Sequence, residues 1–295
     1  MSTFKSLLFI VNKYSGPHYH PRVEREIIDT CANHQIECRI EFTKKRGHAT
    51  ELARNGIGNF DAILAVGGDG TVNEVARALV NTSNLMGIIP IGSGNGLARH
   101  LKIPMGVAKA VKTFLTGRRI SMDTFRVNST LAVNVSGIGF DGHIAHVFGE
   151  NHKRGLYEYA RLVIREYFNY FEFTWLWNET SQYHSSLIVA LANSSQYGNN
   201  AFIAPGASIN DGKLNISVVK KIPLNRILSS LYRLFKRTLK PNDLFRFYES
   251  SGLSISSESP LPYHVDGEPC GLANNFTIQL FPGSLEIMIP ASTQP

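Results

Sequence analysis

Residues 62–80 of the chain, AILAVGGDGTVNEVARALV, contain the signals that decide its fold. The run of apolar residues at 62–66 predicts a strand that is buried on both faces. A glycine-rich turn follows at residues 67–70, and residues 71–80 have the apolar spacing of a helix. A buried strand, a tight turn and a helix in this order indicate part of a parallel sheet with helical crossovers.

The same alternation extends to both sides of this segment. We predict strands at residues 5–11, 36–42, 62–66 and 86–91 and helices at 22–35, 47–55 and 71–80. This β-α-β-α-β-α-β order predicts a doubly wound α/β domain, because parallel strands are joined by right-handed crossovers.

The pattern changes near residue 120. Short alternating segments separated by Gly, Asn or Pro predict an antiparallel β-sandwich, with strands at 130–135, 187–192, 214–219, 253–257, 276–281 and 285–289. Helical inserts are predicted at about residues 155–172 and 223–239. We therefore expect two domains, residues 1–122 and 123–295, and the last strand is free to return to the first domain.

Composition excludes several classes of protein. The 295 residues are 43% hydrophobic, which is enough for a buried core. The apolar run at residues 7–11 is too short for a signal peptide or a membrane span. Three cysteines without a CxxC pair argue against a disulfide scaffold or a zinc ribbon. We expect a cytoplasmic protein, and its net charge of +7 favours a polyanionic partner or surface.

The turn at residues 67–70 has the features of a phosphate site. Glycines let backbone N–H groups approach an anion, and the following helix N-terminus favours negative charge. Asp69 would repel a phosphate, and a bridging Mg²⁺ would remove that conflict. The alternative is a simple tight turn in which Thr71 caps the helix.

Two further loops repeat this chemistry. A second glycine-rich loop occupies residues 90–96, and the first strand ends in a turn-forming cluster at residues 12–16. Three such loops at one sheet edge indicate a nucleotide site. The GxxxxGK[ST] pattern of P-loop enzymes is absent. A GxGxxG match at residues 137–142 lies in the β-rich half, and we interpret it as a structural turn.

The ordered set of motifs resembles the diacylglycerol kinase catalytic-domain superfamily, which includes bacterial lipid kinases and eukaryotic sphingosine and ceramide kinases. The matching segments lie at residues 12–16, 43–53, 67–75, 92–95, 139–141, 204–214 and 266–268. The resemblance implies an α/β ATP-binding domain, a β-sandwich lipid-substrate domain, and Mg²⁺-dependent transfer of phosphate from ATP to a lipid hydroxyl. It implies that ATP is bound by Asn12, Ser15, Gly16, Thr43, Gly67, Gly68, Asp69, Gly70, Thr71, Asn73, Ser93 and Asn95.

The resemblance also implies the catalytic and metal-binding residues. Glu268 matches the general base of bacterial members, whereas the loop aspartate, Asp69, has that role in eukaryotic ones. A second, structural Mg²⁺ would be held by the Asp211 carboxylate and the backbone carbonyls of Ser208 and Lys213. From the residues alone, both segments are also consistent with simple turns, because Asp-Gly is a strong turn pair.

One residue departs from the bacterial pattern. Many bacterial members have an aspartate after the asparagine of the second loop, and this chain has Gly96. A carboxylate of the expected metal network is therefore missing. The Gly-Ser-Gly-Asn sequence at residues 92–95 resembles the sphingosine and ceramide branch instead.

Residues 220–240 predict contact with a membrane. This segment has seven basic residues and no acidic one, with an apolar stripe at helical spacing. Such a helix binds anionic headgroups. The alternative is a surface helix that packs its stripe on the sandwich.

We therefore expect a lipid kinase, with diacylglycerol as the leading substrate and phosphatidic acid as its product. The alternatives are a sphingoid base, ceramide or phosphatidylglycerol as substrate, an NAD-kinase-like activity, or a catalytically silent regulator that binds lipid or nucleotide. The expected partners are the lipid and an anionic membrane surface, without nucleic acid. A homodimer is left open.

Overall fold

The computed structural model describes residues 4–16, 19–150 and 156–293. The chain divides into two compact units. Unit 1 combines the residues up to Thr124 with those from Pro282 onward, and unit 2 is Phe125–Phe281.

Unit 1 is a doubly wound α/β domain. Its elements are β1 (Ser6–Val11), α1 (Arg22–Asn33), β2 (Glu37–Phe42), α2 (His48–Gly56), β3 (Ala62–Gly67), α3 (Asp69–Leu79), β4 (Leu85–Pro90), α4 (Gly96–His100), α5 (Val107–Thr116) and the first part of β5 (Arg118–Val127). The strands are parallel in the order β4-β3-β1-β2. Every residue of β3 and β4 is buried, which explains their uninterrupted apolar sequences.

Unit 2 is an antiparallel, β-sandwich-like domain. Its elements are β6 (Thr130–Ala132), β7 (Val135–Gly139), α6 (Phe140–Glu150), α7 (Leu156–Asn169), β8 (Phe173–Trp177), β9 (Gln182–Ser186), β10 (Ile188–Ala192), β11 (Leu214–Val219), α8 (Leu224–Phe235), β12 (Phe245–Ser250), β13 (Gly252–Val265) and the part of β14 (Glu268–Ile289) that precedes Pro282. Within this unit β12-β11-β10-β7-β13-β14 are neighbours in that order, and a hairpin of β8 and β9 pairs with β13. The core includes Trp175, Ile255 and Phe276, each buried to 1% exposure or less.

Several predicted boundaries in this half are wrong. The strand predicted at 130–135 is two strands, and those predicted at 276–281 and 285–289 are one strand, β14. The GxGxxG segment is not a turn, because β7 passes directly into α6 there. The insert predicted at 155–172 corresponds to α7, although residue 155 lies outside the described residues. Glycines 137, 139 and 142 weaken the local helix and strand signals, so only packing reveals this junction.

Asp61 secures the start of the central strand β1. Its Oδ2 accepts the backbone N–H groups of Lys5 at 2.6 Å and Ser6 at 2.9 Å. These hydrogen bonds, the Lys5 amide first, hold the pKa of Asp61 below its ordinary value of 3.8.

We expect Asp61→Asn to lower the melting temperature at pH 7 and to matter less in acid. A lowered pKa in the folded state contributes stability that is present above pH 3.8 and lost as the pH falls through the folded-state pKa. Thermal unfolding of both proteins between pH 7 and pH 2 measures this. Asp29→Asn, in an exposed i,i+4 pair with Arg25, is the control. A difference in melting temperature between wild type and Asp61→Asn that stays constant down to pH 2 would contradict a lowered pKa of Asp61 in the folded state.

Candidate functional site

The candidate phosphate site lies at the switch point of the unit 1 sheet. The chain proceeds from β1 to β2 on one side and to β3 and β4 on the other. The carboxyl ends of β1 and β3 are joined by the Asn12 N–H, which donates to the Val66 carbonyl at 3.0 Å. Thr43, just after β2, donates its N–H to Val11 at the same edge. Open α/β sheets bind ligands at such a point.

The first glycine-rich loop connects β3 directly to helix α3. Gly68 is the extended N-cap and the helix begins at Asp69, so the alternative in which Thr71 caps the helix is wrong. The Thr71 hydroxyl instead accepts a hydrogen bond from Asn12 Nδ2 at 3.1 Å and lies 3.3 Å from the Ser15 hydroxyl. A Cβ at Gly67 would lie only 2.4 Å from that hydroxyl oxygen. Glycine at 67 therefore lets the first and third strands share this contact.

The second glycine-rich loop contacts the other two loops through backbone atoms of glycines, which have no side chains in the way. A Cβ at Gly92 would lie 2.4 Å from the Gly68 Cα, and a Cβ at Gly16 would lie 3.3 Å from the Ser93 nitrogen. Gly16 also has a φ of +76°, which favours glycine. The three predicted loops are thus brought together, with Ser93 exposed at their meeting point.

Asn95 stabilises its own loop. It has a φ of +52°, its Nδ2 donates to the Gly92 carbonyl at 2.7 Å, and its Oδ1 accepts the Gly92 N–H at 3.1 Å. The residue is only 6% exposed. The structure shows this structural role, and contact between Asn95 and ATP stays a prediction. Asn73, 2% exposed, is likewise buried within α3.

Asp69 links the two glycine-rich loops. Its Oδ1 accepts the Gly96 N–H at 2.7 Å, and a Cβ at Gly94 would lie 3.0 Å from its Oδ2. The backbone places an N–H donor against Asp69, so the carboxylate is held in one orientation by a neutral partner.

The residues of this loop fit a phosphate with an associated hard cation. The first-turn amides of α3 have no acceptor within the helix, and the N-terminal end of the helix dipole attracts anions. The glycines leave the backbone accessible, and Asp69 offers carboxylate oxygen, which Mg²⁺ prefers. In the described part of the chain, no group of three or more His, Cys, Asp or Glu side chains forms a metal centre. A cation bound together with phosphate oxygens is the arrangement that this donor set favours.

Glu74 has a structural role that we did not derive from the sequence. Its carboxylate accepts the backbone N–H groups of Gly47 at 2.8 Å and Ala49 at 3.0 Å, and its carbonyl accepts the Thr50 hydroxyl. It thereby caps α2 from α3. The available signal was its place within the motif at 67–75, one helical turn beyond Thr71.

Glu268 in unit 2 directly follows a hairpin turn that is hydrogen-bonded to residues 133 and 134. Asp266 and Gly267 have φ values of +50° and +84°, and Val265 pairs with Glu268, as in a two-residue type I′ turn. The alternative of an exposed hairpin turn is correct in that a hairpin forms, but its aspartate is not exposed. Asp266 is 7% exposed, and its carboxylate accepts the N–H groups of Val133 and Asn134 at 2.8 and 3.0 Å.

The Asp211 loop forms a local turn. Asp211 Oδ1 accepts the Lys213 N–H at 3.0 Å, and the Ser208 hydroxyl donates to Asn210 at 3.2 Å. The Lys213 ammonium pairs with Glu249 at 2.7 Å. A structural Mg²⁺ bound by Ser208, Asp211 and Lys213 stays a prediction.

The structure has a doubly wound α/β domain, which contains the candidate phosphate site, followed by a β-sandwich-like domain. Residues 6–127 match the diacylglycerol kinase catalytic domain, and residues 134–289 match the YegS C-terminal NAD kinase beta sandwich-like domain. The chain therefore belongs to the diacylglycerol kinase catalytic-domain superfamily, in the group with the YegS-type C-terminal domain.

Similar proteins span nearly the same length. A probable lipid kinase YegS-like protein of Klebsiella pneumoniae is 28% identical, with 98% of each chain covered. One from Chromohalobacter salexigens is 27% identical, covering 88% of this chain and 85% of its own. Among solved structures, a diacylglycerol kinase from Bacillus anthracis superposes with a TM-score of 0.76 at 22% identity, with 98% of each chain covered. That structure supports the fold.

Proposed function

We propose that this protein is a lipid kinase that transfers the γ-phosphate of Mg·ATP to a lipid hydroxyl, with diacylglycerol as substrate and phosphatidic acid as product. The observation that carries the proposal is the contact of three glycine-containing loops at the switch point, with Asp69 held between two of them. Family membership and the names of the similar proteins, which are probable lipid kinases, support the same activity.

Each set of residues has a defined task in this mechanism. The backbone amides of the loops would bind the phosphates, and Asp69, whose carboxylate is oriented by the Gly96 amide, would hold the cation. When bound, Mg²⁺ neutralises charge on the phosphoryl oxygens. Glu268 accepts the proton of the lipid hydroxyl as its oxygen forms a bond to the γ-phosphorus and the bond to ADP breaks. Asp69 is the alternative base.

Phosphate transfer to a panel of lipids tests the proposal. Labelled γ-phosphate from Mg·ATP would be followed into diacylglycerol, ceramide, a sphingoid base and phosphatidylglycerol in mixed micelles. Labelled phosphatidic acid is the expected product. Label in another lipid reassigns the substrate, and label in NAD in a parallel assay assigns the alternative NAD kinase. ATP binding without any transfer would contradict the enzyme and favour the silent regulator.

We further propose that helix α8 and the end of α7 dock on an anionic bilayer. Only Ser230 of α8 is buried, whereas Leu228 and Tyr232 are 81% and 65% exposed. On the neighbouring helix and its C-terminal end, Ile164, Phe168 and Phe171 are 63%, 56% and 76% exposed. We call these five exposed residues, together with Leu224, Leu231 and Phe235, the apolar patch.

Hydrogen bonds join the two chain segments that carry the apolar patch. The Tyr167 hydroxyl donates to the Ile222 carbonyl at 2.5 Å, and Lys221 donates to the Tyr170 carbonyl at 2.8 Å. Of the basic residues at 220–240, Arg226 is paired with Asp243 at 2.6 Å. The opposite face of α8 packs on the domain, as the alternative predicts, because Leu234 contacts a core cluster of unit 2. An apolar face with a basic border matches an anionic lipid surface. Among the described residues, no helix is long and apolar enough to span a bilayer.

We expect Leu228→Glu to reduce binding to phosphatidylglycerol-containing vesicles about 10-fold or more, because the variant loses roughly 1.5–3 kcal/mol of side-chain burial and adds repulsion. Vesicle co-sedimentation at low and high salt measures this. Ile28→Glu, at a residue of α1 that is 49% exposed, is the matched control. Equal binding by both variants, or equal binding to neutral phosphatidylcholine vesicles, would contradict this surface.

A further inference from the structure

A buried histidine in unit 2 contacts the turn that precedes Glu268. His264, 4% exposed, lies near the end of β13. Its Nδ1 accepts the Gly267 N–H at 3.1 Å, and its Nε2 lies 3.4 Å from Asp141 Oδ2. Because Nδ1 accepts from an amide, the neutral ring carries its hydrogen on Nε2, directed at the carboxylate.

The glycine-rich segment at 137–142 makes this contact possible. His264 pairs with Gly137 across the β13–β7 ladder. A Cβ at Gly137 would lie 1.7 Å from Asp141 Oδ2, so the carboxylate occupies the space of the missing side chain. Gly139 has a φ of +98°, and a Cβ at Gly142 would lie 2.4 Å from the Pro262 carbonyl oxygen. The segment thus brings the start of α6 against β13 and directs Asp141 at His264.

Asp141 is held rigidly at its other contacts. The Tyr197 hydroxyl donates to Oδ2 at 2.8 Å, and the Gly142 N–H donates to Oδ1 at 2.9 Å. The side chain is only 11% exposed. A buried carboxylate with these fixed donors orients the imidazole, as a carboxylate does for a histidine in metal and catalytic sites.

We infer that His264, oriented by Asp141 and Tyr197, is a positioning residue for Glu268. The turn has two residues before Glu268, and both are held. Asp266 is bound to the amides of Val133 and Asn134, and Gly267 is bound to His264. With both held, the direction in which the chain leaves the turn at Glu268 is set. The inference rests on the proposed role of Glu268 as the base.

Two substitutions at His264 separate positioning from general stability. Asn places an acceptor oxygen near the position of Nδ1 and loses the contact with Asp141. Gln places an N–H₂ near the position of Nε2 and loses the acceptor for Gly267. Each variant removes one polar contact, so both are expected to lower the melting temperature by similar amounts.

We expect His264→Gln to lower kcat about 10- to 100-fold with the KM for ATP unchanged, because a small misplacement of a reacting group costs this much. His264→Asn is expected to keep kcat within about 3-fold of the wild type. Equal losses of kcat in the two variants, parallel to their melting temperatures, would overturn the inference and leave a structural role.

A second measurement does not depend on turnover. Hydrogen exchange at the Gly267 amide, resolved by ¹⁵N NMR, is expected to accelerate about 10-fold or more in His264→Gln and little in His264→Asn. Gly137→Ala is expected to accelerate it as well, because its methyl group displaces Asp141. Gly206→Ala, where a Cβ meets nothing within 4 Å, is the control. Unchanged exchange in His264→Gln would overturn the inference, whether or not the protein transfers phosphate. Absence of phosphate transfer by the wild type would contradict the proposed function and not the contact measured here.

Discussion

Glu268→Gln is expected to lower kcat for lipid phosphorylation about 10²- to 10⁴-fold and to leave ATP affinity unchanged. Gln is close to Glu in size and keeps a polar group at that position, but it cannot accept the hydroxyl proton. Glu268 belongs to unit 2, whereas the loops that we propose to bind ATP belong to unit 1. Its loss therefore affects the proton transfer and not the phosphate contacts. Steady-state kinetics in mixed micelles and ATP titration by calorimetry measure the two effects.

Asp69→Asn provides the comparison that separates the two candidate bases. Asn keeps an oxygen for the Gly96 amide but lacks the charge for a cation. We expect a weaker affinity for Mg·ATP with this variant. Glu258→Gln, at an exposed position of β13, controls for loss of a carboxylate in unit 2. Full kcat in Glu268→Gln, with kcat lost and Mg·ATP affinity intact in Asp69→Asn, would assign the base to Asp69.

Gly92→Ala is expected to destabilise unit 1 by about 1–3 kcal/mol and to weaken ATP binding at least about 10-fold. The added methyl group would lie 2.4 Å from the Gly68 Cα and 2.8 Å from Asn95 Oδ1. The first is a backbone atom, and the second belongs to a buried side chain that is hydrogen-bonded to Gly92, so neither moves easily and the two glycine-rich loops must separate. Separation also breaks the hydrogen bond between Asp69 and the Gly96 amide.

Urea unfolding and ATP titration test this prediction. Gly206→Ala adds the same methyl group where nothing lies within 4 Å, and it should leave both measurements unchanged. Wild-type affinity for ATP in Gly92→Ala would contradict the proposal that the contact of these loops forms the phosphate site.

The sequence by itself determined the order of elements in unit 1. The uninterrupted apolar run of β3 and the 3.6-residue spacing of α3 are properties of residues close together in the chain, so the local sequence predicts both elements. The same holds for the three loops of the candidate site. Because β1, β3 and β4 are parallel, their carboxyl ends meet at one edge, and Asn12, Thr71 and Gly92 lie there as expected.

Adjacent residues give a weaker signal in unit 2, where β8 and β9 were not predicted. They are short and partly exposed, and β9 contains His184 and three other polar residues. Their pairing with each other and with β13 makes them strands. Sheet formation of this kind depends on partners that are distant in the chain.

Only the tertiary structure decided which side chain meets which. Asn95 faces its own loop, Asp266 binds amides more than 130 positions earlier, and Asp141 reaches His264 through the space at Gly137. The sequence contained all of these residues, and a lone GxGxxG match or an Asp-Gly pair is compatible with several turns. Periodicity encodes which face of an element is buried, whereas a hydrogen bond needs two groups within about 3 Å. Packing sets that distance for residues far apart in the chain.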